Sequence, residues 1–68
     1  MKIFAERLKY LRNEKELSQR QLANELKISN AAIQRWESEM RIPNAEAIVL
    51  LAKYFNVSAD YLLGLTDD

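Results

Sequence analysis

The residues of this chain that can do chemistry are of one kind. Ser29, Asn30, Gln34 and Arg35 fall within one short stretch, with Ala31 among them. At helical spacing they make one outward row of hydrogen-bond donors and acceptors, which suits binding better than reaction. Catalysis lacks its parts. Histidine and cysteine are both absent, which removes the usual general base, thiolate chemistry, disulfides and the commonest metal ligands. Ser18, Ser29 and Ser58 stand where helices are expected to begin and are explained as caps. Gly64 is the single glycine, so no glycine-rich phosphate loop exists. The carboxylates are scattered and form no pair suited to acid–base work. No enzyme, cofactor, metal site or small-molecule ligand is expected.

The elements that would position this row can be read from caps and periodicity. Phe4, Leu8 and Leu11 recur at i, i+4 and i+7 and predict a first helix over residues 3–14. Lys2, Glu6, Arg7, Lys9 and Asn13 fall mostly on its outward side. Leu17 then precedes Ser18, with Gln21 three residues on, which is a capping box entered by a hydrophobic staple. A second helix follows over 19–26, a turn at Lys27 and Ile28, and a third helix over 30–38 opened by Ser29. Leu22, Leu26, Ile28, Ile33 and Trp36 have the spacing that brings two crossed helices together. Ala23 is small where their backbones come closest. Trp36 belongs to this core set by its spacing from Leu22, Leu26 and Ile33. Residues 18–38 therefore read as a helix-turn-helix. Pro43 pushes Ile42 into extended backbone, and Asn44 caps a fourth helix over 45–55. Ser58 caps a fifth over 59–63, which Gly64 ends in left-handed backbone. The expected fold is all-α, a compact bundle of five short helices in one domain over residues 1–68.

Sixty-eight residues with an apolar fraction of 49% make one small globular domain. No apolar run approaches the ~20 residues of a membrane span, and the N-terminus lacks the layout of a signal peptide. A cytoplasmic location is expected. The formal net charge is zero, but its distribution is uneven. Residues 9–41 hold seven cations and five anions, whereas residues 42–68 hold one cation and four anions. The acidic end would sit away from a polyanion. The Asp67, Asp68 ending reads as a solvated tail.

Residues 17–37, together with Arg41-Ile42-Pro43-Asn44 and Val57-Ser58-Ala59-Asp60-Tyr61-Leu62-Leu63-Gly64, resemble the phage repressor and Cro family, also called the XRE family. The phrases Ser-Gln-Arg-Gln-Leu-Ala and Ile-Gln-Arg-Trp-Glu carry most of the resemblance, which runs from Phe4 to Leu65. It implies a lambda-repressor-like domain, bacterial or phage-encoded. Such a domain reads double-stranded DNA operators in the major groove, usually as a homodimer on a palindromic site. It also implies a transcriptional regulator, in the first instance a repressor.

The resemblance also assigns roles. Gln19 would reach a phosphate from the start of the second helix. Asn30 and Ala31 would face base edges, the amide pairing with adenine and the methyl touching a thymine methyl. Ser29 would cap its helix and also donate to a phosphate or base. Gln34 lies one turn further along, and Arg35 either reads guanine or grips the backbone. Arg20, Lys27 and Arg41 would contact phosphates, and Asn44 would cap and also touch one. A plain solvated helix surface is the competing explanation for each. Arg12 and Glu37 would form a partly buried ion pair tying the first helix to the third. Leu50, Tyr54, Tyr61, Leu62 and Leu65 are a candidate dimer patch, or else close the small core.

The chain departs from the family at Glu16, Lys27 and Glu39, where members often place glycine. Positive φ at these positions would cost of order 1 kcal/mol each. Glu39 also sets a negative charge near the expected phosphate path. Together with the neutral net charge and the apolar C-terminal surface, it motivates a second reading. That reading is a protein-interaction module, such as an antitoxin or adaptor, using the same fold.

Overall fold

A computed structural model describes residues 1–67, and these form five helices without strands. The helices are α1 (Lys2–Glu14), α2 (Gln19–Leu26), α3 (Asn30–Glu37), α4 (Ala45–Phe55) and α5 (Ala59–Leu63). Four begin on a side-chain cap. Ser18 Oγ accepts from Gln21 N, and the Gln21 side chain returns a bond to Ser18 N–H at 2.8 Å, completing the capping box. Ser29, Asn44 and Ser58 each accept from the N–H three residues on. Each bond satisfies one of the orphan donors of a first turn. α1 starts at Lys2 behind Met1 and has no side-chain cap.

All five helices stop in the same way. The residues Glu16, Lys27, Glu39, Asn56 and Gly64 have φ between 56° and 82°. The next residue in each case sends its N–H back five positions, from Leu17 to Arg12, Ile28 to Ala23, Met40 to Arg35, Val57 to Ala52 and Leu65 to Asp60. This is the Schellman ending, in which one left-handed residue turns the chain and an apolar residue follows it. Gly64 takes the left-handed backbone expected of it, and Glu16, Lys27 and Glu39, where the family often places glycine, keep positive φ with a side chain. Asn56 adds a position that pattern reading missed, although asparagine tolerates this backbone better than most side chains.

The helices converge on one core. Phe4 and Leu8 from α1, Leu22, Ala23 and Leu26 from α2, and Ile33 and Trp36 from α3 are buried. Ile48, Leu51 and Phe55 from α4 and Leu62 from α5 complete it. α1 packs on α3 and α5, α2 packs on α3, and α4 packs on α5. Phe4 meets Trp36 edge to face, with ring centroids 6.3 Å apart, a geometry that adds to simple burial. Trp36 is thereby a core residue. No described helix is long and apolar enough to cross a membrane.

Two expectations need correction. Leu62 was expected on a C-terminal dimer patch, but it is fully buried. A five-residue helix is too short for periodicity to tell its inward residue from its neighbours. Arg7 was placed on the outward side of α1, yet it is half-buried and folds over Tyr61, its guanidinium carbon 4.3 Å from the ring centroid. From there it donates to the main-chain carbonyls of Tyr61 and Thr66. Asp67 stands 3.4 Å from the same guanidinium, and Asp68 lies outside the described residues. The terminal segment is therefore clasped to α1.

Candidate nucleic-acid interface

The orientation of α3 is fixed from below by a polar cluster. Arg12 Nε donates to Glu37 Oε2 at 2.7 Å, and its NH2 group donates to Oε1 at 2.9 Å. The third guanidinium nitrogen donates to the carbonyl of Leu17 at 2.7 Å. Gln19 Nε2 adds a bond to Glu37 Oε1 at 3.1 Å. The Glu37 side chain is 3% exposed and that of Arg12 is 13% exposed, so neither charge could be tolerated alone. The hydrogen bonds to Glu37 raise the pKa of Arg12 despite the opposing effect of burial. The forked, bidentate geometry sets both distance and direction. One carboxylate thus joins α1, the start of α2 and the end of α3.

The turn between α2 and α3 is short. Leu26 is buried, Lys27 takes φ 58° and ψ 42°, and Ile28 turns its side chain partly inward. Ser29 then opens α3 with its hydroxyl accepting from Ala32 N. Leu22 and Ala23 of α2 and Ile33 and Trp36 of α3 close the inner side. The opposite side of α3 is left to solvent.

On that side the expected residues sit together. Ser29, Gln34 and Arg35 are exposed, and Asn30 and Ala31 are half-exposed on the first turn. Asn30 Oδ1 is shielded from solvent and has no hydrogen-bond partner. Arg20, Lys27 and Arg41 are exposed on the flanking elements and have no ion-pair partner among the described residues. Asn44 caps α4 through Oδ1 and stands exposed. It shares the wall of an open groove of about 480 Å³ with Ser29, Ala32 and Trp36. Gln19 differs from the rest because Glu37 already holds its amide; its second N–H is what remains for a phosphate. That bond could not be read from sequence, because residues 18 apart share no local pattern.

The members of the candidate dimer patch differ in their surroundings. Tyr61 lies beneath Arg7. The Tyr54 hydroxyl donates to Glu25 at 3.3 Å, and its ring packs on Phe55. Leu50 and Leu65 remain exposed. Among the described residues no cluster of acidic side chains could hold a metal.

This arrangement matches known proteins. A helix-turn-helix family profile matches residues 8–62. The chain is 38% identical over 66 residues to YobD of Bacillus subtilis (strain 168), an uncharacterised HTH-type transcriptional regulator. It is 45% identical over 60 residues to BcrR of Enterococcus faecalis, an HTH-type transcriptional activator. It is also 36% identical over 58 residues to ImmR of Bacillus subtilis (strain 168), an HTH-type transcriptional regulator. These alignments take in 97%, 88% and 85% of the chain but only 59%, 29% and 46% of the three relatives. The chain belongs to the DNA-binding helix-turn-helix transcriptional regulators of the phage repressor and Cro (XRE) type, a family that is generally non-enzymatic.

Proposed function

We propose that α3 enters the major groove of a specific operator and reads it through Asn30, Ala31, Gln34 and Arg35. The observation that carries this reading is the outward row on α3, where Ser29, Gln34 and Arg35 are exposed and Asn30 and Ala31 half-exposed, opposite the buried Ile33 and Trp36. Asn30 turned outward offers the donor and acceptor that adenine N6 and N7 require, and the Ala31 methyl suits thymine. Gln34 and Arg35 extend the contact by one turn. Arg20, Lys27 and Arg41 grip phosphates, joined by Ser29, Asn44 and the free N–H of Gln19. Two such domains on a palindromic site would place two recognition helices about one DNA turn, ~34 Å, apart. The simplest outcome of occupancy is exclusion of polymerase, which is the action of a repressor.

Selection of bound duplexes from a random library tests the proposal. A defined half-site should be enriched, and affinity should fall with salt by a log–log slope of about 0.9 per phosphate contact. Replacing Asn30 and Arg35 by alanine should abolish selective binding. If no duplex is enriched at moderate salt, the reading fails. Met40 and Ile42, 79% and 66% exposed beside Glu39, give the protein-interaction reading its support. Under that reading the same double substitution would leave partner binding intact.

A further inference from the structure

The Glu37 carboxylate does more than balance Arg12. Arg12 donates to both of its oxygens, Nε to Oε2 and NH2 to Oε1. Oε1 keeps room for a further donor, and Gln19 Nε2 supplies it at 3.1 Å. A carboxylate accepts and does not donate, so this bond decides which end of the amide faces inward. The nitrogen faces Glu37, and its second N–H lies in the amide plane, directed away from the carboxylate. The carboxylate is itself immobile, being 3% exposed and held by the Arg12 fork. Gln19 remains half-exposed at the first position of α2. The capping box beside it engages the N–H groups of Ser18 and Gln21, which leaves those of Gln19 and Arg20 to an outside acceptor.

We propose that Glu37 is a positioning residue for DNA binding, which holds the Gln19 amide, before DNA arrives, in the orientation that presents its second N–H to a backbone phosphate. The inference rests on the reading above in which Gln19 faces a phosphate. A glutamine free in solvent loses the freedom of its rotatable bonds when a ligand fixes it. Gln19 has given up that freedom on folding, so its contact with DNA is formed by a group already in place. Arg12 has a part in this as well. Its charge offsets that of Glu37, so a carboxylate can stand behind the phosphate contact without repelling the polyanion. The bond also ties the start of α2 to the end of α3, so one buried group aligns the phosphate contact with the helix that reads the bases.

Two measurements test the proposal. In the free protein, NMR relaxation of the side-chain amides should give Gln19 an order parameter of about 0.85, as for rigid backbone, and the exposed Gln34 a value below about 0.6. In the Arg12→Met/Glu37→Leu chain, Gln19 should fall to the level of Gln34. The second measurement is binding to the duplex that random-library selection enriches most. Gln19→Ala should weaken it about 10-fold in the wild-type background but only about 2-fold in the Arg12→Met/Glu37→Leu background. The salt slope should stay the same on Gln19→Ala, because an uncharged amide displaces no counterion. A Gln19 amide as mobile as that of Gln34 overturns the proposal, whether or not the double variant folds. So does an equal loss on Gln19→Ala in the two backgrounds, a result that leaves operator reading by α3 intact. A wild-type chain that binds no duplex overturns both.

Discussion

α1 carries two arginines that hold distant parts of the chain, and they do so by different means. Arg12 meets a carboxylate as a bidentate fork in a site closed to solvent. Arg7 meets two main-chain carbonyls, lies on an aromatic ring and reaches a fully exposed Asp67. The Arg12 pair concentrates two charges where neither can be hydrated. Removing one partner therefore strands the other. The Arg7 clasp spreads one charge over neutral acceptors and remains close to water. The first arrangement fixes a direction, that of α3; the second fastens a segment.

Substitutions can break this contrast in order of size. Glu37→Leu alone should cost about 3–5 kcal/mol, enough to unfold much of so small a domain. Arg12→Met alone should cost about as much, whereas the double variant should recover most of the loss. Urea unfolding of all four proteins measures the coupling, and strictly additive losses would mean that the pair acts as two independent charges. Arg7→Met should cost about 1.5–3 kcal/mol through its charged hydrogen bonds to the Tyr61 and Thr66 carbonyls. Asp67→Asn should leave stability nearly unchanged, since its carboxylate is solvated. An equal cost for the two would show that the clasp depends on the exposed ion pair.

Smaller effects test the helix ends that both arginines connect. Lys27→Gly should raise the unfolding midpoint, by about 0.5–1 kcal/mol in stability, because glycine relieves left-handed backbone at φ 58°. No gain would mean that the added freedom of the unfolded chain cancels the relief. The smallest effect belongs to Tyr54, whose pKa is raised above 10.0 by desolvation and by the charge and hydrogen bond of Glu25. A raised folded pKa gives a stabilisation that is present below pH 10 and lost as pH rises through the folded value. Alkaline unfolding should show that decline, and Tyr54→Phe should remove it.

Much of this arrangement is legible in the residues alone. Ser18, Ser29, Asn44 and Ser58 announce four helix starts because a cap is a local bond with a narrow choice of side chains. The observed ranges of α2, α4 and α5 coincide with those expected from caps and periodicity. The Arg12–Glu37 pairing follows from family resemblance and not from spacing. Nothing local announces the Arg7 clasp or the Gln19–Glu37 bond, which join residues far apart in sequence through acceptors that every residue type carries. Leu62 was misplaced because α5 offers barely one turn of periodicity. Asn56 went unnoticed because glycine is the usual mark of a helix stop, and four of these five stops use another residue.

The closing segment has a consequence for synthesis. A side chain at Gly64 would bring its Cβ within 2.5 Å of an Ile3 methyl carbon, so the last turn lies directly against the first. Arg7 and Thr66 are hydrogen-bonded across 59 positions. α1 emerges from the ribosome well before its clasp partners, which lie 54 and 59 positions on from Arg7. Such long-range closure comes late in folding. While the chain is growing, α2 and α3 can meet locally, but α1 is fully fastened only after Thr66 has been made. α3 and the last turn of the domain thus mature together, and a nascent chain stopped short of Thr66 would carry α3 without its finished frame.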